Sequence, residues 1–296
     1  MLLIPDKNIW SGVVKMDRPK NLREALRDDL SEDELEELGS SFDIVGDIAI
    51  LKLPDSLLDK KQRIGEALMQ VHGNLNTVLR QVGPVKGELR TRDLEVIAGE
   101  SKTETTHKEY GCLFKVDLAR VYFSPRLSRE RFRVAQKVRA GEVVTNLFAG
   151  VGCYSILIAK HSDPEKVYSI DKNSVAVEYM RHNVRVNKTG GTVVPVEGDA
   201  RAVVEEHLHG EADRVLMPLP DFARDFFDVA VETLGPEGGI VHFYDYGEEP
   251  DLFEPSLKFI REAVPGKGIE LRDKEVVRSY APRLYHVVLD LEIKSR

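Results

Sequence analysis

Hydrophobic and polar residues recur along this chain with two different periods, and the change of period divides it. LSEDELEELGS (30–40) predicts a short acidic helix closed by Gly39. DIVGDIAILKL (43–53) is rich in β-branched residues around a Gly46-Asp47 turn, which predicts a hairpin. KKQRIGEALMQVHG (60–73) puts apolar residues at helical spacing and ends in glycine. NTVLRQV, DLEVIAG and CLFKVDL then read as strands, so the segment ending near residue 117 is mixed α+β. From about residue 127 the rhythm changes to strands alternating with helices. A helix over 127–140 precedes strand 142–148, helix 154–161, strand 166–171, helix 174–187 and strand 192–199. A short helix (201–208), strand 213–219, helix 221–234, strand 238–246 and helix 254–264 follow. That alternation predicts an α/β fold with a parallel, doubly wound sheet. The last two strands, 270–280 and 283–293, are joined only by Ala281-Pro282, too short for a crossover, so they must pair antiparallel.

The chain has 296 residues, room for two domains at roughly 150 residues each. The expected division is an acidic N-terminal extension (1–40), an α+β domain (41–117) and the doubly wound domain (118–296). Hydrophobic residues make up 42% and charged residues 31%, enough for a sizeable core. With 42 basic against 50 acidic residues the net charge is -8, which argues against coating nucleic acid by bulk charge but not against a local basic site. Residues 78–140 reverse the sign, with 14 basic and 8 acidic residues. In that stretch Arg126, Arg129, Arg131, Arg133, Lys137 and Arg139 are opposed only by Glu130. Such a run is commonly a solvated helix face; concentrated on an acidic chain, it can also meet a polyanion such as RNA. Cys112 and Cys153 form neither a CxxC pair nor a disulfide framework, which fits a reducing compartment. The opening MLLIPDKNIW lacks the basic lead and apolar core of a signal peptide, and no stretch approaches the roughly 18 apolar residues of a membrane span. The expectation is a soluble cytoplasmic protein.

Several short constellations could carry chemistry. Asn146-Leu147-Phe148-Ala149-Gly150-Val151-Gly152 ends the first strand of the doubly wound part, where glycines let the backbone turn sharply and approach a ligand. Ligands of such folds bind at this edge, although a plain strand–helix turn would look the same. It is not a dinucleotide fingerprint, because Ser155 stands where a third glycine would be. Asp171 ends the second strand, where a carboxylate can take both hydroxyls of an adenosine ribose or simply cap the next helix. Gly198-Asp199-Ala200 ends the third strand, placed to meet an adenine amino group. Asp213-Arg214-Val215-Leu216-Met217-Pro218-Leu219-Pro220 ends the fourth, with prolines that stiffen the turn. Arg126 and Glu130 are four apart on one helix, either as a surface ion pair or with Glu130 as a base aimed into the pocket.

Taken in order, SPRLSRER, NLFAGVG, SIDKN, GDAR, DRVLMPLP, GGIVHFY and SYAPRLYHVVLDL resemble the archaeal and eukaryotic tRNA (guanine-37-N1)-methyltransferases. The likeness spans roughly residues 43–296. It implies a class I methyltransferase (Rossmann-like) sheet with an antiparallel last strand, preceded by a smaller α+β RNA-binding domain. It further implies a monomer that methylates guanosine beside the tRNA anticodon with S-adenosyl-L-methionine and no metal. By position, Glu130 matches the general base, Arg90 the arginine that stabilises charge on the base's carbonyl oxygen, and Arg126 a neighbouring arginine of the same motif. The cofactor-contacting positions implied are Arg131, Phe148, Gly150, Gly152, Asp171, Lys172, Asp199, Ala200 and Pro218.

Three departures stand out. The family commonly has Asn-Leu-Pro where this chain has Pro218-Leu219-Pro220, Asn146 stands where aspartate is frequent, and longer members carry a further N-terminal RNA-reading domain. A related wybutosine-pathway aminocarboxypropyl transferase shares the C-terminal half but generally lacks the Arg-Leu-x-x-Glu arrangement, here Arg126-Leu127-Ser128-Arg129-Glu130. Methylation of a wybutosine intermediate is a further alternative. A non-catalytic tRNA-binding module is disfavoured by the intact Asp171, Asp199 and Glu130.

Overall fold

The computed structural model describes residues 18–39, 41–84 and 87–294. The first part of the expected acidic extension therefore lies outside the described residues.

The remainder of that extension is not an appendage. Helices Leu22–Leu26 and Glu32–Leu38 precede the first strand, and the second opens on a capping box. Ser31 Oγ accepts the Glu34 N–H at 3.3 Å while the Glu34 carboxylate accepts the Ser31 N–H at 2.8 Å, satisfying two otherwise orphaned donors. Leu26, Leu30 and Leu35 are buried with Ala49, Leu51, Leu57 and Ile64 in one core. Three leucines on an acidic segment need an apolar partner, and the first domain supplies it.

That domain holds a four-stranded sheet of β1 (Phe42–Val45), β2 (Ile48–Leu51), β3 (Thr77–Gln81) and β4 (Leu94–Gly99), in that spatial order. β1–β2 is the expected hairpin; β2 and β3 run parallel, connected through helix Lys61–Val71. Side chains alternate across the sheet. Ala49 and Leu51 join the core under the helices, while Ile48 and Ile50 join the core of the second domain.

A second hairpin follows, β5 (Glu104–Glu109) with β6 (Cys112–Asp117). Cys112, Phe114 and Val116 are buried among residues of the doubly wound domain such as Val134, Ile156 and Met180. Two asparagines of that domain act as a surrogate strand for β6. Asn187 Oδ1 accepts the Leu113 N–H at 2.9 Å and its Nδ2 donates to the Leu113 carbonyl at 2.7 Å. Asn183 does the same for Lys115 at 2.8 and 3.1 Å. An edge strand's free backbone groups are thereby satisfied. The packing thus sets β6, expected in the first domain, against the doubly wound domain.

The main sheet has seven strands: β7 (Val143–Asn146), β8 (Lys166–Asp171), β9 (Val193–Glu197), β10 (Arg214–Met217), β11 (Gly239–Glu248), β12 (Gly268–Ala281) and β13 (Leu284–Lys294). Their spatial order is β12-β13-β11-β10-β7-β8-β9. β9 through β11 are parallel neighbours, while β13 runs antiparallel to both β11 and β12, as the short final connection requires. The helix expected over 221–234 is broken into Pro220–Ala223 and Phe227–Thr233. At the break Arg224 reaches back to Asp245 at 2.8 Å, and Phe226 turns toward Phe148, ring centroids 5.3 Å apart.

Candidate active site

The carboxyl ends of β7, β8, β9 and β10 converge, and the loop of residues 88–90 from the first domain closes over them. Between lies a cleft of about 120 Å³. Crevices outside the carboxyl ends of parallel strands are where open α/β sheets bind ligands. Of the sequence-based candidates, Arg90, Phe148, Gly150, Asp171, Lys172, Asp199, Ala200 and Pro218 line it.

Its floor is a hydrogen-bonded corner. Asn146 Oδ1 accepts the Phe148 N–H at 3.3 Å, so the residue that replaces the frequent aspartate braces the loop. Gly150 sits at φ +56 and donates its N–H to Asp171 Oδ2 at 2.6 Å. Asp171 Oδ1 accepts the Asn173 N–H at 2.9 Å. The helix after β8 is capped by Asn173, whose Oδ1 accepts from Val175 and Ala176, so capping does not account for Asp171. Burial pushes the Asp171 carboxyl up, opposed by the N–H groups of Asn173 and Gly150. Asp199 caps the helix Ala200–Val203 by accepting the Arg201 N–H at 3.0 Å, and Lys172 Nζ lies 3.9 Å from it while binding Glu88 at 2.8 Å. Leu147, Ala176, Phe222 and Phe226 supply apolar walls. A Cβ built on Gly150 would meet nothing within 4 Å, so its surroundings are open to a ligand. A half-buried carboxylate for a diol, a loop with free approach and flat apolar walls fit an adenosine-containing cofactor.

Gly152 has a different job. It starts helix Cys153–His161 at φ +90, where a Cβ would stand 2.8 Å from Met180 Cγ, so it serves packing and does not line the cleft.

The opposite wall comes from the first domain and its connection: Glu88, Leu89, Arg90 and Tyr122. Arg90 adopts φ +53, uncommon for a residue with a Cβ. Its guanidinium lies over the Tyr122 ring, 4.9 Å from the centroid, and pairs with Asp221. The sequence reading missed Tyr122, Asp221 and Phe226. Nothing in local pattern marks them, since Phe226 reads as one more apolar position of a helix that here is interrupted.

Glu130, Arg126 and Arg131 do not line the cleft. Glu130 is buried, accepting from Arg133 Nε and Nη2 at 2.7 and 2.8 Å and from the Tyr244 hydroxyl at 2.5 Å. Arg133 continues to Asp290 at 2.7 Å, which also accepts from Lys137 at 2.7 Å and pairs with His242 Nδ1 at 2.6 Å. Burial raises the Asp290 carboxyl, but His242 and Arg133 outweigh it and hold the group far below the usual carboxylate range. Arg131, expected at the cofactor, has its buried guanidinium engaged by Glu109 at 2.8 and 2.6 Å and by the Ser124 carbonyl. Arg126 pairs with Asp43 at 2.6 Å, tying the second domain to the first. The arginine-rich run is thus largely neutralised by acids from distant elements, which its local sequence could not reveal.

A seven-stranded sheet with this strand order, an antiparallel last strand and an adenosine-type corner defines the class I methyltransferases. The family model described as the TRM5/TYW2 methyltransferase domain matches residues 105–272, and that of the TYW2 N-terminal domain matches 22–103. The chain belongs to this TRM5/TYW2 methyltransferase family. It is 42% identical over 258 residues to tRNA (guanine(37)-N(1))-methyltransferase Trm5b of Pyrococcus abyssi, covering 86% of this chain and 76% of that protein. It is 33% identical over 259 residues to the tRNA(Phe) (4-demethylwyosine(37)-C(7)) aminocarboxypropyltransferase of Methanocaldococcus jannaschii, covering 87% and 99%. The crystal structure of Methanocaldococcus jannaschii Trm5 in complex with adenosine superposes with a TM-score of 0.78 at 35% identity, covering 94% of this chain and 79% of that one. The two family matches meet at residues 103–105.

Proposed function

We propose that this protein is a monomeric tRNA (guanine(37)-N1)-methyltransferase. The observation that carries the reading is the meeting, in one cleft, of an adenosine-type corner (Gly150, Asp171, Asp199) with a cation, Arg90, delivered from the other domain. S-adenosyl-L-methionine, when bound, supplies an electrophilic methyl group. The chain's own residues must do the rest. Asp171 and the Gly150 loop would hold the ribose end, and Phe148 and Phe226, packed edge to face, would offer the adenine an apolar wall. Guanine N1 carries a proton and is a poor nucleophile until a base removes it, a contribution of typically ~10²–10⁴-fold. Charge then grows on the neighbouring carbonyl oxygen, where Arg90, steadied by Asp221 and Tyr122, supplies electrostatic stabilisation. Extrusion of a base is easier from a single-stranded loop than from a duplex, which suits an anticodon loop.

Glu130 is the proposed proton acceptor. Its Oε1 accepts from both Tyr244 and Arg133 but Oε2 accepts from Arg133 alone, which leaves a lone pair on Oε2 for the proton. Arg126 fixes the two domains through Asp43 and has a positioning role.

Pro218 favours a second reading. It lines the cleft where an amide side chain is common in the methyltransferases, and it can donate no hydrogen bond to the target base. Transfer of an aminocarboxypropyl group, or methylation of a wybutosine intermediate, is the alternative. Mass analysis of nucleosides from an unmodified tRNA transcript incubated with protein and S-adenosyl-L-methionine separates them. 1-Methylguanosine at position 37 is the expected product; an aminocarboxypropyl adduct, or no adduct, refutes the primary reading.

A further inference from the structure

Five buried side-chain nitrogen or oxygen atoms among the described residues lack any hydrogen-bond partner, and four fall in one cluster: Arg90 Nε, Arg92 Nε, Arg278 Nε and His286 Nε2. Buried polar groups are nearly always paired, so such a concentration calls for an absent partner. The fold puts these side chains together. Arg278 on β12 is directly opposite His286 on β13, which is directly opposite Tyr246 on β11, giving a row across three strands. Arg90 and Arg92 approach from the first domain, both over the Tyr122 ring, at 4.9 and 5.7 Å.

The cluster is strongly cationic. Arg90 pairs with Asp221, but no ion pair of Arg92 or Arg278 is present among the described residues. His286 is 95% buried; burial and then the charges of Arg278 and Arg90 push its imidazole down to about 3, keeping it neutral. Burial depresses Arg92; Tyr122 and Asp43 oppose that shift, while Arg278 and Arg90 add to it, and its Nη2 donates to the Phe123 carbonyl at 3.3 Å. Three guanidinium groups, of which only Arg90 has an ion-pair partner, are costly to gather unless a further anion completes the set, and their forked N–H geometry matches phosphate. Beyond them Tyr246 and Tyr280 pack at 4.8 Å, with Tyr280 half exposed, a surface on which an unstacked base can rest.

We infer that Arg92, Arg278 and His286, beside Arg90, form a pocket for the backbone phosphodiester flanking the nucleotide whose base enters the cleft. The inference rests on the RNA reading of the cleft. The chemistry it requires is a singly charged oxyanion, for which the cofactor's own carboxylate is the competing source.

The test uses the full-length protein and an anticodon stem-loop RNA, unmodified or with one neutral methylphosphonate at the linkage on either side of residue 37. Wild-type protein should lose roughly 10- to 100-fold in affinity for one of the two neutral-linkage RNAs. Its log-affinity against log-salt slope should shrink by about 0.7, the value for one single-strand phosphate contact. Arg278→Gln should show the same loss on unmodified RNA and no further loss on the neutral-linkage RNA, with S-adenosyl-homocysteine affinity and thermal midpoint kept. Arg278→Lys should recover part of the loss, and Arg92→Gln should repeat the pattern. Additive losses, or an unchanged salt slope in both glutamine variants, would overturn the pocket. Weakened S-adenosyl-homocysteine binding at an unchanged thermal midpoint, with RNA affinity intact, would assign the cluster to the cofactor carboxylate and also overturn it. Failure of the wild-type protein to methylate any tRNA sinks the functional reading itself, which is scored separately.

Discussion

Replacing Glu130 by glutamine tests the proposed chemistry most directly, and the structure allows its two consequences to be separated. Glu130 accepts three hydrogen bonds, two from Arg133 and one from Tyr244. Glutamine offers one acceptor oxygen, and its amide must face a guanidinium or phenol donor. With its oxygen in the Oε1 place glutamine keeps the Tyr244 and Arg133 Nη2 bonds and loses one charge-assisted bond, worth about 1.5–3 kcal/mol, while its NH2 faces Arg133 Nε. Arg133 is not stranded, because Asp290 remains 2.7 Å away, so the net stability cost should be about 2–4 kcal/mol. The catalytic effect should be larger in kind. Without a group able to take the N1 proton, single-turnover methylation should fall by ~10²–10⁴-fold, about 3–5 kcal/mol on the barrier. The assay is rapid quench with enzyme in excess over tRNA, at a temperature where the variant is folded, with S-adenosyl-homocysteine affinity measured by calorimetry. A rate within threefold of wild type, at unchanged cofactor affinity, removes Glu130 from proton transfer. A fall in rate no greater than the fall in folded fraction makes it a scaffold group only.

Four further outcomes are expected. Asp171→Ala leaves the Gly150 and Asn173 N–H groups without their acceptor and removes the diol partner, so calorimetry should show S-adenosyl-homocysteine affinity at least about 100-fold weaker; undiminished affinity would refute the corner. Arg90→Ala should slow the chemical step more than it weakens tRNA binding, and a collapse of affinity alone would make Arg90 a phosphate anchor. Gly46→Ala forces a Cβ at φ +57 to within 2.2 Å of Thr105 Oγ1, so denaturant unfolding should show a loss of about 2–4 kcal/mol. Burial raises the Asp47 carboxyl, but hydrogen bonds from Lys102, Thr105 and Asn76 bring it down to about 2. Its folded pKa is depressed, so its contribution is present above pH ~4 and lost as pH falls through 2; about 1 kcal/mol of stability should disappear across that window and be missing in Asp47→Asn.

The doubly wound part was legible because buried parallel strands are short β-branched runs, as in EVVTNLF and KVYSID, bounded by residues that turn or cap. The glycine corner and the acidic strand ends could be read for the same reason: a position in the chain dictates a position at the sheet edge. What escaped depends on partners far along the chain. β5, ETTHKE, is too charged to announce itself, yet Thr105 and Glu109 are buried because Asp47 and Arg131 meet them. The fate of the arginine run was equally hidden, since Arg126 finds Asp43 and Arg133 finds Asp290 only in the folded molecule. The helix break at 224–226 follows from the reach of Arg224 to Asp245, again a tertiary contact.

The asparagine surrogate strand has a consequence for dissecting the molecule. A fragment beginning at 118 would strip β6 away and leave the amides of Asn183 and Asn187 facing solvent over an uncovered Val134–Met180 surface, inviting self-association. Starting at 104 keeps that cover in place, so limited proteolysis should nick the chain ahead of β5 and spare the link that follows β6.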